Sequence, residues 1–382
     1  MSNKFYTKTK GIGGRIKQRI SDFKVEEIPK KVFPMHEKLK PIDKKYTVFW
    51  MEKFNWDTTG ALMTLAKHTG VSVSSFGFAG TKDKRAITRQ RVSVDVHKEK
   101  LENIKIKDIK LYGFEDGKRL ELGDSDGNKF EIVIRDVDLS KKVLEDRLTS
   151  FGEVIKNGIP NIFGPQRFGI TRPVTHLIGM EMLKGNIEEA VKIYLCKVYP
   201  DEHEESKKAR LALGKNWNKK GFRKALEMFP RQLKYERIIL EGLSRNPNDF
   251  AGSFKKIPRK LRKIFPNAVQ SLIFNRVLKK IKIGDGEIPI VGFDTVLGSG
   301  DLSGLIKKIL REEGLQISDF KLNSLKDMKC SGGFRKVRLD VKDFSWKIEK
   351  DEINPKKLKV ITNFSLPSGS YATVVLRELM KS

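Results

Sequence analysis

Short stretches of alternating apolar and polar residues recur through residues 1–170, and this pattern is typical of half-buried strands. The stretches that predict strands are Asp22–Glu27, Tyr46–Trp50, Arg91–Val96, Ile109–Gly113 and Lys129–Arg135. Two further segments carry apolar residues at helical spacing and predict helices: Thr58–Thr69, with a threonine N-cap and Gly70 after its end, and Lys141–Asn157, which ends before Gly158. Strands at hairpin-like spacing mixed with helices predict an α+β fold with a largely antiparallel sheet.

The pattern changes at about residue 172, where helical spacing takes over until about residue 335. The predicted helices are Ile187–Tyr194, Phe222–Met228, Gln232–Leu243 and Ala268–Ile281. Strands return in Lys336–Lys359, and the chain closes with a strand, a Pro-Ser-Gly turn and a helix. No internal repeat and no long Gly/Ser linker separates these parts.

The charge of the chain narrows the classes of partner. Its 382 residues contain 77 Lys plus Arg against 48 Asp plus Glu, a formal net charge of +29. Such an excess indicates a polyanionic partner or an acidic membrane surface. The two cysteines are far apart in sequence, which excludes a disulfide framework and favours a reducing compartment. The polar N-terminus has no apolar stretch of the kind found in a signal peptide, so we expect none. No apolar run is long enough to span a bilayer, so we expect a soluble intracellular protein.

Basic residues are concentrated in the helical part. Eleven Lys or Arg lie between Lys207 and Arg237, and six of the eleven residues of Phe254–Ile264 are basic. Such runs are most often solvated faces, but aromatic residues are interleaved with these and raise the odds of RNA contact. The same aromatic residues could instead belong to helix cores.

The segment Gly77–Val92 (GFAGTKDKRAITRQRV) gathers the most unusual residues of the chain. Asp83 lies between Lys82 and Lys84, and neighbouring cations favour the ionised form of a carboxyl group. An anion of this kind is suited to act as a nucleophile or as a base. In the alternative interpretation, the segment from Gly80 is a surface turn and Asp83 caps a following helix.

A second segment, Asn161–Gly169 (NIFGPQRFG), predicts a tight turn at Gly164-Pro165. Its polar and aromatic side chains suit a pocket for an RNA base, and they are Asn161, Phe163, Gln166, Arg167 and Phe168. The alternative is that the phenylalanines simply enter the core, which is the commoner fate of this residue type.

Several signatures of cofactor chemistry are missing from the sequence. There is no GxxxxGK[ST] phosphate loop, and Gly298–Gly304 (GSGDLSG) departs from dinucleotide-loop spacing. The five histidines are isolated, so the sequence supports neither a zinc site nor a Ser-His-Asp set. We therefore expect no nucleotide cofactor and no metal.

Taken together, these segments resemble the TruD family of tRNA pseudouridine synthases. The family pattern G-x-K-D-x-x-A-x-T-x-Q is filled by Gly80, Lys82, Asp83, Ala86, Thr88 and Gln90. The string NIFGPQRFG is similar to N-x-F-G-x-Q-R-F-G, and SLPSGSYATVVLREL (Ser365–Leu379) resembles LPxGxYATxxLREL. Weaker family patterns fit Asn267–Leu278 and Gly332–Leu339. The resemblance covers most of the chain.

The resemblance implies an isomerase that converts a uridine of tRNA, at position 13, to pseudouridine without a cofactor, as a cytoplasmic monomer with no membrane contact. It implies that Asp83 is the catalytic aspartate and that Lys17 is its basic partner. The substrate-binding residues that it implies are Phe163, Asn161, Phe23, Thr81, Gln166 and Arg167. The length and the basic character of the middle part look like those of the archaeal and eukaryotic branch.

The resemblance also implies an architecture. Residues 1–171 and 336–382 would form a mixed, mostly antiparallel catalytic sheet with flanking helices, interrupted at 172–335 by an inserted α/β TRUD domain. The alternative function is a non-catalytic basic RNA-binding protein with the same fold. A DNA-binding protein is less favoured, because no helix-turn-helix or zinc-finger signature is present.

Overall fold

The computed structural model describes residues 5–30, 46–325 and 327–381. Met1–Lys4, part of the polar N-terminus, lie outside the described residues. The strands of the described residues are β1 Arg15–Ile16, β2 Phe23–Pro29, β3 Tyr46–Phe54, β4 Gly77–Phe78, β5 Ile87–Val94, β6 Ile109–Gly117, β7 Ser125–Val137, β8 Ile159–Pro160, β9 Glu287–Ile290, β10 Gly333–Lys336, β11 Arg338–Leu339, β12 Lys342–Lys350 and β13 Leu358–Pro367.

The helices of the same residues are α1 Thr58–Thr69, α2 Glu99–Glu102, α3 Lys141–Lys156, α4 Thr175–Leu183, α5 Ile187–Cys196, α6 Glu204–Lys215, α7 Lys219–Met228, α8 Lys234–Arg245, α9 Phe250–Lys255, α10 Arg259–Arg262, α11 Ile264–Leu278, α12 Asp301–Glu312 and α13 Ala372–Met380. No helix among the described residues is both long enough and apolar enough to cross a membrane.

The chain divides into two compact units. Unit 1 is Met1–Ile159 with Leu339–Ser382, and unit 2 is Pro160–Arg338. The borders predicted from the sequence, 171/172 and 335/336, lie about a dozen residues and three residues from these positions. In this division the motif at residues 161–169 belongs to unit 2.

Unit 1 contains a nine-stranded sheet with the order β12-β13-β7-β2-β5-β3-β6, while β1 pairs with β7 and β4 pairs with β5. All its strand pairs are antiparallel except β2 with β5. The α+β fold with a mostly antiparallel sheet is therefore confirmed. The parallel contact puts Lys24 opposite Ile87 and Val25 opposite Thr88, and so places the strand after Asp83 beside the strand after Lys17.

Helix α1 packs on one face of this sheet, over β5, β3 and β6, and has the predicted bounds. Its apolar face packs Leu62 and Leu65 into a core with Phe49, Met51 and Val92. The predicted threonine cap is wrong, because the side chain of Asp57 accepts the hydrogen bond from the N–H of Gly60. An aspartate at this position also places a negative charge at the positive end of the helix dipole. As predicted, Gly70 ends the helix, with φ 75°.

A buried ion network closes the side of the sheet where β1, β7 and β12 end. The guanidinium of Arg135 donates to Asp22 at 2.9 Å and to Asp351 at 3.0 Å. Burial alone would raise the pKa of the Asp351 carboxyl group. This effect of burial is outweighed by hydrogen bonds that the carboxylate accepts from Asn354, from the N–H groups of Asp136 and Ile353, and from Arg135. The pKa of Asp351 therefore lies well below its usual range.

Unit 2 is mainly helical, with one antiparallel pair formed by β9 and β10. Helix α11 lies against α4, and their contact is close, because a Cβ on Gly179 would come within 2.1 Å of the carbonyl oxygen of Phe265. The helix predicted at 268–281 begins earlier, at Ile264, and the one predicted at 222–228 begins at Lys219. The first turn of α7 escapes the periodicity because it begins with the exposed Lys219 and Lys220, and that of α11 because Pro266 interrupts the pattern before Ala268.

Candidate active site

Asp83 lies on the loop between β4 and β5, at an exposed position. Its side chain is 49 % exposed, and its Oδ2 accepts a hydrogen bond from Nζ of Lys17 at 3.1 Å. The residue after this loop begins a strand, so the alternative in which Asp83 caps a following helix is wrong. The structure thus brings together two residues that lie 66 positions apart in the sequence.

Lys17 is held in an uncommon backbone conformation. It follows β1 with φ 58°, a left-handed value that a lysine adopts only where its surroundings enforce it. The preceding Gly14 has φ 88°, and a Cβ there would come within 2.7 Å of the carbonyl oxygen of Arg135. The ammonium of Lys17 lies 4.2 Å from the ring centroid of Phe23, a cation–π contact.

Phe23 is the first residue of β2 and is 4 % exposed. Its ring meets the Phe130 ring edge-on, with centroids 6.3 Å apart. The ring therefore forms a fixed floor under the Lys17 ammonium. Thr81 is exposed on the same loop as Asp83.

Lys82, which precedes Asp83, points into the protein instead of towards the carboxylate beside it. Its Nζ forms an ion pair of 2.7 Å with Oε2 of Glu27, and the two side chains are only 8 % and 1 % exposed. Oε1 of Glu27 also accepts the N–H of Arg91 at 3.1 Å. Lys82 thus anchors the loop to β2, and Asp83 pairs with Lys17 instead.

Two further residues hold the same loop by hydrogen bonds. The N–H of Lys82 donates to Oγ1 of Thr58 at 2.9 Å, and this hydroxyl donates to Oε1 of Gln90 at 2.8 Å. The amide of Gln90 donates in turn to the carbonyl oxygen of Gly80 at 3.1 Å. Gln90 of the motif therefore fixes the start of the loop against α1 and β5.

Lys53 was missed by the sequence analysis. It is fully buried, and its Nζ donates to the carbonyl oxygens of Trp56, of Lys82 at 3.4 Å and of Asp83 at 3.2 Å. A signal was available, because Lys53 continues the inward-facing parity of Thr47, Phe49 and Met51 along β3. A lysine at an inward position of an alternating strand is rare unless it has partners.

In unit 2, Asn161 is enclosed by polar contacts with the strand β10 and the residues after it. Its side-chain amide donates to the carbonyl oxygen of Lys336 at 3.1 Å, and its N–H donates to that of Val337 at 2.9 Å. Arg335 donates to both the backbone oxygen and the side-chain oxygen of Asn161, at 3.1 and 2.6 Å. These hydrogen bonds therefore fix the positions of both Asn161 and Arg335.

The same arginine lies over the ring of Phe163, with its Cζ 4.2 Å from the ring centroid. The ring also meets Phe274 edge-on at 5.5 Å. The side chain of Asn275 pairs with the backbone of Phe163 in both directions, accepting its N–H at 2.8 Å and donating to its carbonyl oxygen at 2.9 Å. The ring of Phe163 is thus fixed by the α11 segment, where the weaker family pattern lies.

The other predicted residues of this motif fall in different environments. Arg167 donates to Oγ of Ser271 at 2.9 Å and lies 5.6 Å from the Phe163 ring. Gln166 is exposed in the short turn Pro165–Arg167, where the predicted tight turn is found. Phe168 is fully buried, so for this residue the core interpretation is correct.

The structure therefore gathers the predicted residues into two clusters, one in each unit. The unit 1 cluster holds Lys17, Phe23, Thr81 and Asp83, and the unit 2 cluster holds Asn161, Phe163 and Arg167, with Gln166 exposed beside them. Beyond the prediction, the structure adds Lys53, Glu27 and Thr58 to the first cluster and Arg335 and Asn275 to the second.

Comparisons with known proteins agree over almost the whole chain. The family described as tRNA pseudouridine synthase D (TruD) matches residues 2–287 and 285–379. A relative from Methanococcoides burtonii, named "Probable tRNA pseudouridine synthase D", is 35% identical over 99% of this chain and 95% of its own. A relative of the same name from Pyrococcus abyssi is 34% identical, over 99% and 98%. The crystal structure of the TruD protein from Methanosarcina mazei superposes with a TM-score of 0.78 at 32% identity, over 99% of this chain and 96% of that one.

Proposed function

Because the chain belongs to the TruD family of tRNA pseudouridine synthases, we propose that it isomerises a uridine of tRNA to pseudouridine, with Asp83 as the catalytic carboxylate. The observation that carries this proposal is the setting of Asp83. An exposed carboxylate at the motif position is paired with Lys17 at 3.1 Å, on a loop whose backbone is held at Gly80, Lys82 and Asp83.

The reaction breaks the N1–C1′ glycosidic bond, turns the uracil and forms a C5–C1′ bond. Asp83 can act in either of two ways. It can attack C1′, so that the bonding electrons leave with N1 of uracil, or it can remove the proton from C2′ to give a glycal. Both routes need an ionised carboxylate, and the Lys17 ammonium stabilises that form and orients it. When C5 bonds to C1′, the carboxylate is released from C1′ or, on the glycal route, C2′ regains its proton. C5 then loses one proton and N1 gains one, so no oxidant and no second substrate enters the balance.

The aromatic and polar residues are assigned to the base and to its surroundings. We assign Phe163 to the target uracil from its position in the motif that resembles the family's. Its ring is 9 % exposed and is held in place by Phe274, Asn275 and Arg335. A rigid face near the detached base favours its rotation over its escape. Asn161 and Arg167 support this residue, while Phe23, Thr81 and Gln166 complete the set assigned to substrate binding.

The preferred target in this proposal is the uridine at position 13 of tRNA, and the enzyme acts as a monomer. Affinity for the RNA backbone comes from the exposed cations around α7 in unit 2, which are Lys215, Lys219, Lys220, Arg223 and Lys224. Phosphate contacts position an RNA without reading its sequence. The choice of uridine therefore falls to the shape of the RNA and to the pocket that receives the extruded base.

The test is incubation with unmodified tRNA transcripts, followed by site-resolved mapping of pseudouridine with carbodiimide and primer extension. We expect modification by the wild-type protein and none by Asp83→Asn, with tRNA affinity retained. The matched control is Asp138→Asn, since the Asp138 side chain is 84 % exposed and pairs with Lys357 at the surface. Normal pseudouridine formation by Asp83→Asn would refute the assignment. Tight, salt-dependent binding without modification by the wild-type protein would indicate the non-catalytic RNA-binding alternative.

A further inference from the structure

A buried lysine lies behind the loop that carries Asp83. Lys53 is the eighth residue of β3, and its side chain is completely shielded from solvent. Its register partner on β5 is Thr88, a residue of the same motif as Asp83. The strand that follows the loop therefore lies beside Lys53 in the sheet.

The ammonium of Lys53 has three N–H groups, and three carbonyl oxygens accept from it. One belongs to Trp56, just before α1, and the other two belong to Lys82 and Asp83. All three oxygens are backbone atoms, so the contacts fix the course of the chain rather than the rotamer of a side chain. Two consecutive peptide groups, at Lys82 and Asp83, are tied in this way to β3.

Burying an ammonium without a carboxylate in hydrogen-bond contact is costly, and burial lowers the pKa of Lys53 to about 8. The charges that face it are Asp57 at the cap of α1 and Asp83 and Lys82 on the loop. The two carboxylates oppose the shift, and Lys82, which is itself paired with Glu27, adds to it.

We propose that Lys53 is a positioning residue for pseudouridine formation: its charged ammonium holds the backbone of Asp83 so that the carboxylate meets Lys17 and the reacting ribose. The proposal rests on the catalytic role assigned to Asp83. Lys53 lies behind the loop and touches no reacting atom. When Lys53 loses its charge, the Asp83 carboxylate is unchanged, but the backbone of Asp83 is held less firmly. A misplacement of about 1 Å can cost roughly 100-fold in rate.

A structural role and a positioning role predict different responses to pH. As pH rises through about 8, Lys53 loses its proton, and we expect the catalytic rate to fall while tRNA binding is unchanged. The contribution of Lys53 to the free energy of unfolding, in contrast, increases as pH rises. The unfolded chain keeps this proton up to about pH 10.4, so over that range the folded state binds fewer protons and gains stability. A decline in rate above pH 8 without a decline in melting temperature therefore excludes unfolding as its cause.

The experiment compares wild type, Lys53→Met and Lys110→Met in single-turnover assays from about pH 6.5 to 9.5, with tRNA affinity and melting temperature measured in parallel. Lys110 is an exposed lysine on the neighbouring strand β6. We expect Lys53→Met to bind tRNA normally, to react about 100-fold more slowly at pH 7, and to lack the decline above pH 8. Lys110→Met should match wild type. A Lys53→Met protein with the wild-type rate and pH profile would overturn the proposal.

A second variant keeps the test decisive if Lys53→Met does not fold. Lys53→Arg retains the charge throughout this pH range, so its rate should stay constant between about pH 7 and 9.5. A Lys53→Arg protein that declines as wild type does would assign the decline to another group, such as the uracil itself, and would also overturn the proposal. Asp83→Asn, run alongside, separates the two hypotheses. Activity in that variant contradicts the proposed function, whereas inactivity together with a normal Lys53→Met contradicts only the role of Lys53.

Discussion

The buried ion pair between Lys82 and Glu27 makes a quantitative prediction about the stability of unit 1. Glu27→Gln removes the negative charge and leaves the Lys82 ammonium at a site where its side chain is 8 % exposed. Breaking a buried pair from one side typically costs about 3–5 kcal/mol, because the remaining charge has neither water nor a counter-ion. For a unit of this size, each kcal/mol lowers the melting temperature by about 2–4 °C. The expected decrease is therefore roughly 6–20 °C.

The chain offers a matched control in the same sheet. Lys24 and Glu131 also meet at 2.7 Å, across β2 and β7, but their side chains are 48 % and 41 % exposed. Exposed pairs contribute about 0–1 kcal/mol, so Glu131→Gln should lower the melting temperature by less than about 4 °C. The two substitutions remove the same charge from pairs of the same length. The pairs differ in burial and in the N–H of Arg91, which Glu27 also accepts and which a glutamine oxygen can still accept.

The assay is differential scanning calorimetry at low scan rate, with the unit 1 transition followed in each variant. The double variant Glu27→Gln with Lys82→Met should recover most of the stability that Glu27→Gln alone removes, because it leaves no unpaired buried charge and keeps an acceptor for the N–H of Arg91. Equal decreases for Glu27→Gln and Glu131→Gln would refute the reasoning, since burial would then have no influence on the cost.

Three further predictions concern other parts of the molecule. Arg335→Lys removes the paired hydrogen bonds to Asn161, and we expect a loss of about 1–3 kcal/mol in the unit 2 transition and slower pseudouridine formation; an unchanged calorimetric transition would contradict it. The pKa of the Asp351 carboxyl group in the folded protein lies below its usual range. This group therefore stabilises the fold fully above about pH 4, and the stabilisation is lost as pH falls through the folded-state pKa. Asp351→Asn should therefore destabilise unit 1 at pH 7 and make its acid melting curve flatter than that of wild type. Replacing Lys219 and Lys220 by Gln should weaken tRNA binding, and the slope of log affinity against log salt, measured by filter binding, should fall by about one for each phosphate that these lysines neutralise; an identical slope would show that they do not bind the RNA backbone.

Secondary structure followed closely from local pattern where the elements are amphipathic. The bounds of α1 coincide with the prediction, and α3 ends one residue earlier than predicted. Where local chemistry offered two choices, the prediction could fail. Thr58 and Asp57 are both good cap residues, and the structure uses Asp57 for the cap while the hydroxyl of Thr58 bonds the loop of Asp83.

Strand parity held more information than the sequence analysis used. Glu27 continues the inward-facing set of Phe23 and Val25 along β2, as Lys53 does along β3. A charged residue on the apolar face of a strand indicates a buried partner, and in both cases that partner belongs to the loop of Asp83. The parity shows that such residues need partners but does not say which residues these are.

The sequence by itself determined the family, the α+β class, the segments that carry the motifs and the identity of Asp83 as the residue of interest, because these depend on residue types at fixed local spacing. Only the tertiary structure decided the partner of Lys82. This lysine is adjacent to Asp83 in sequence but pairs with the buried Glu27, while Asp83 pairs with Lys17, 66 positions away, the partner that the family resemblance implies. Likewise, Asn161 meets Arg335 across 174 positions. Such partners are set by strand register and by burial, and a local pattern contains neither.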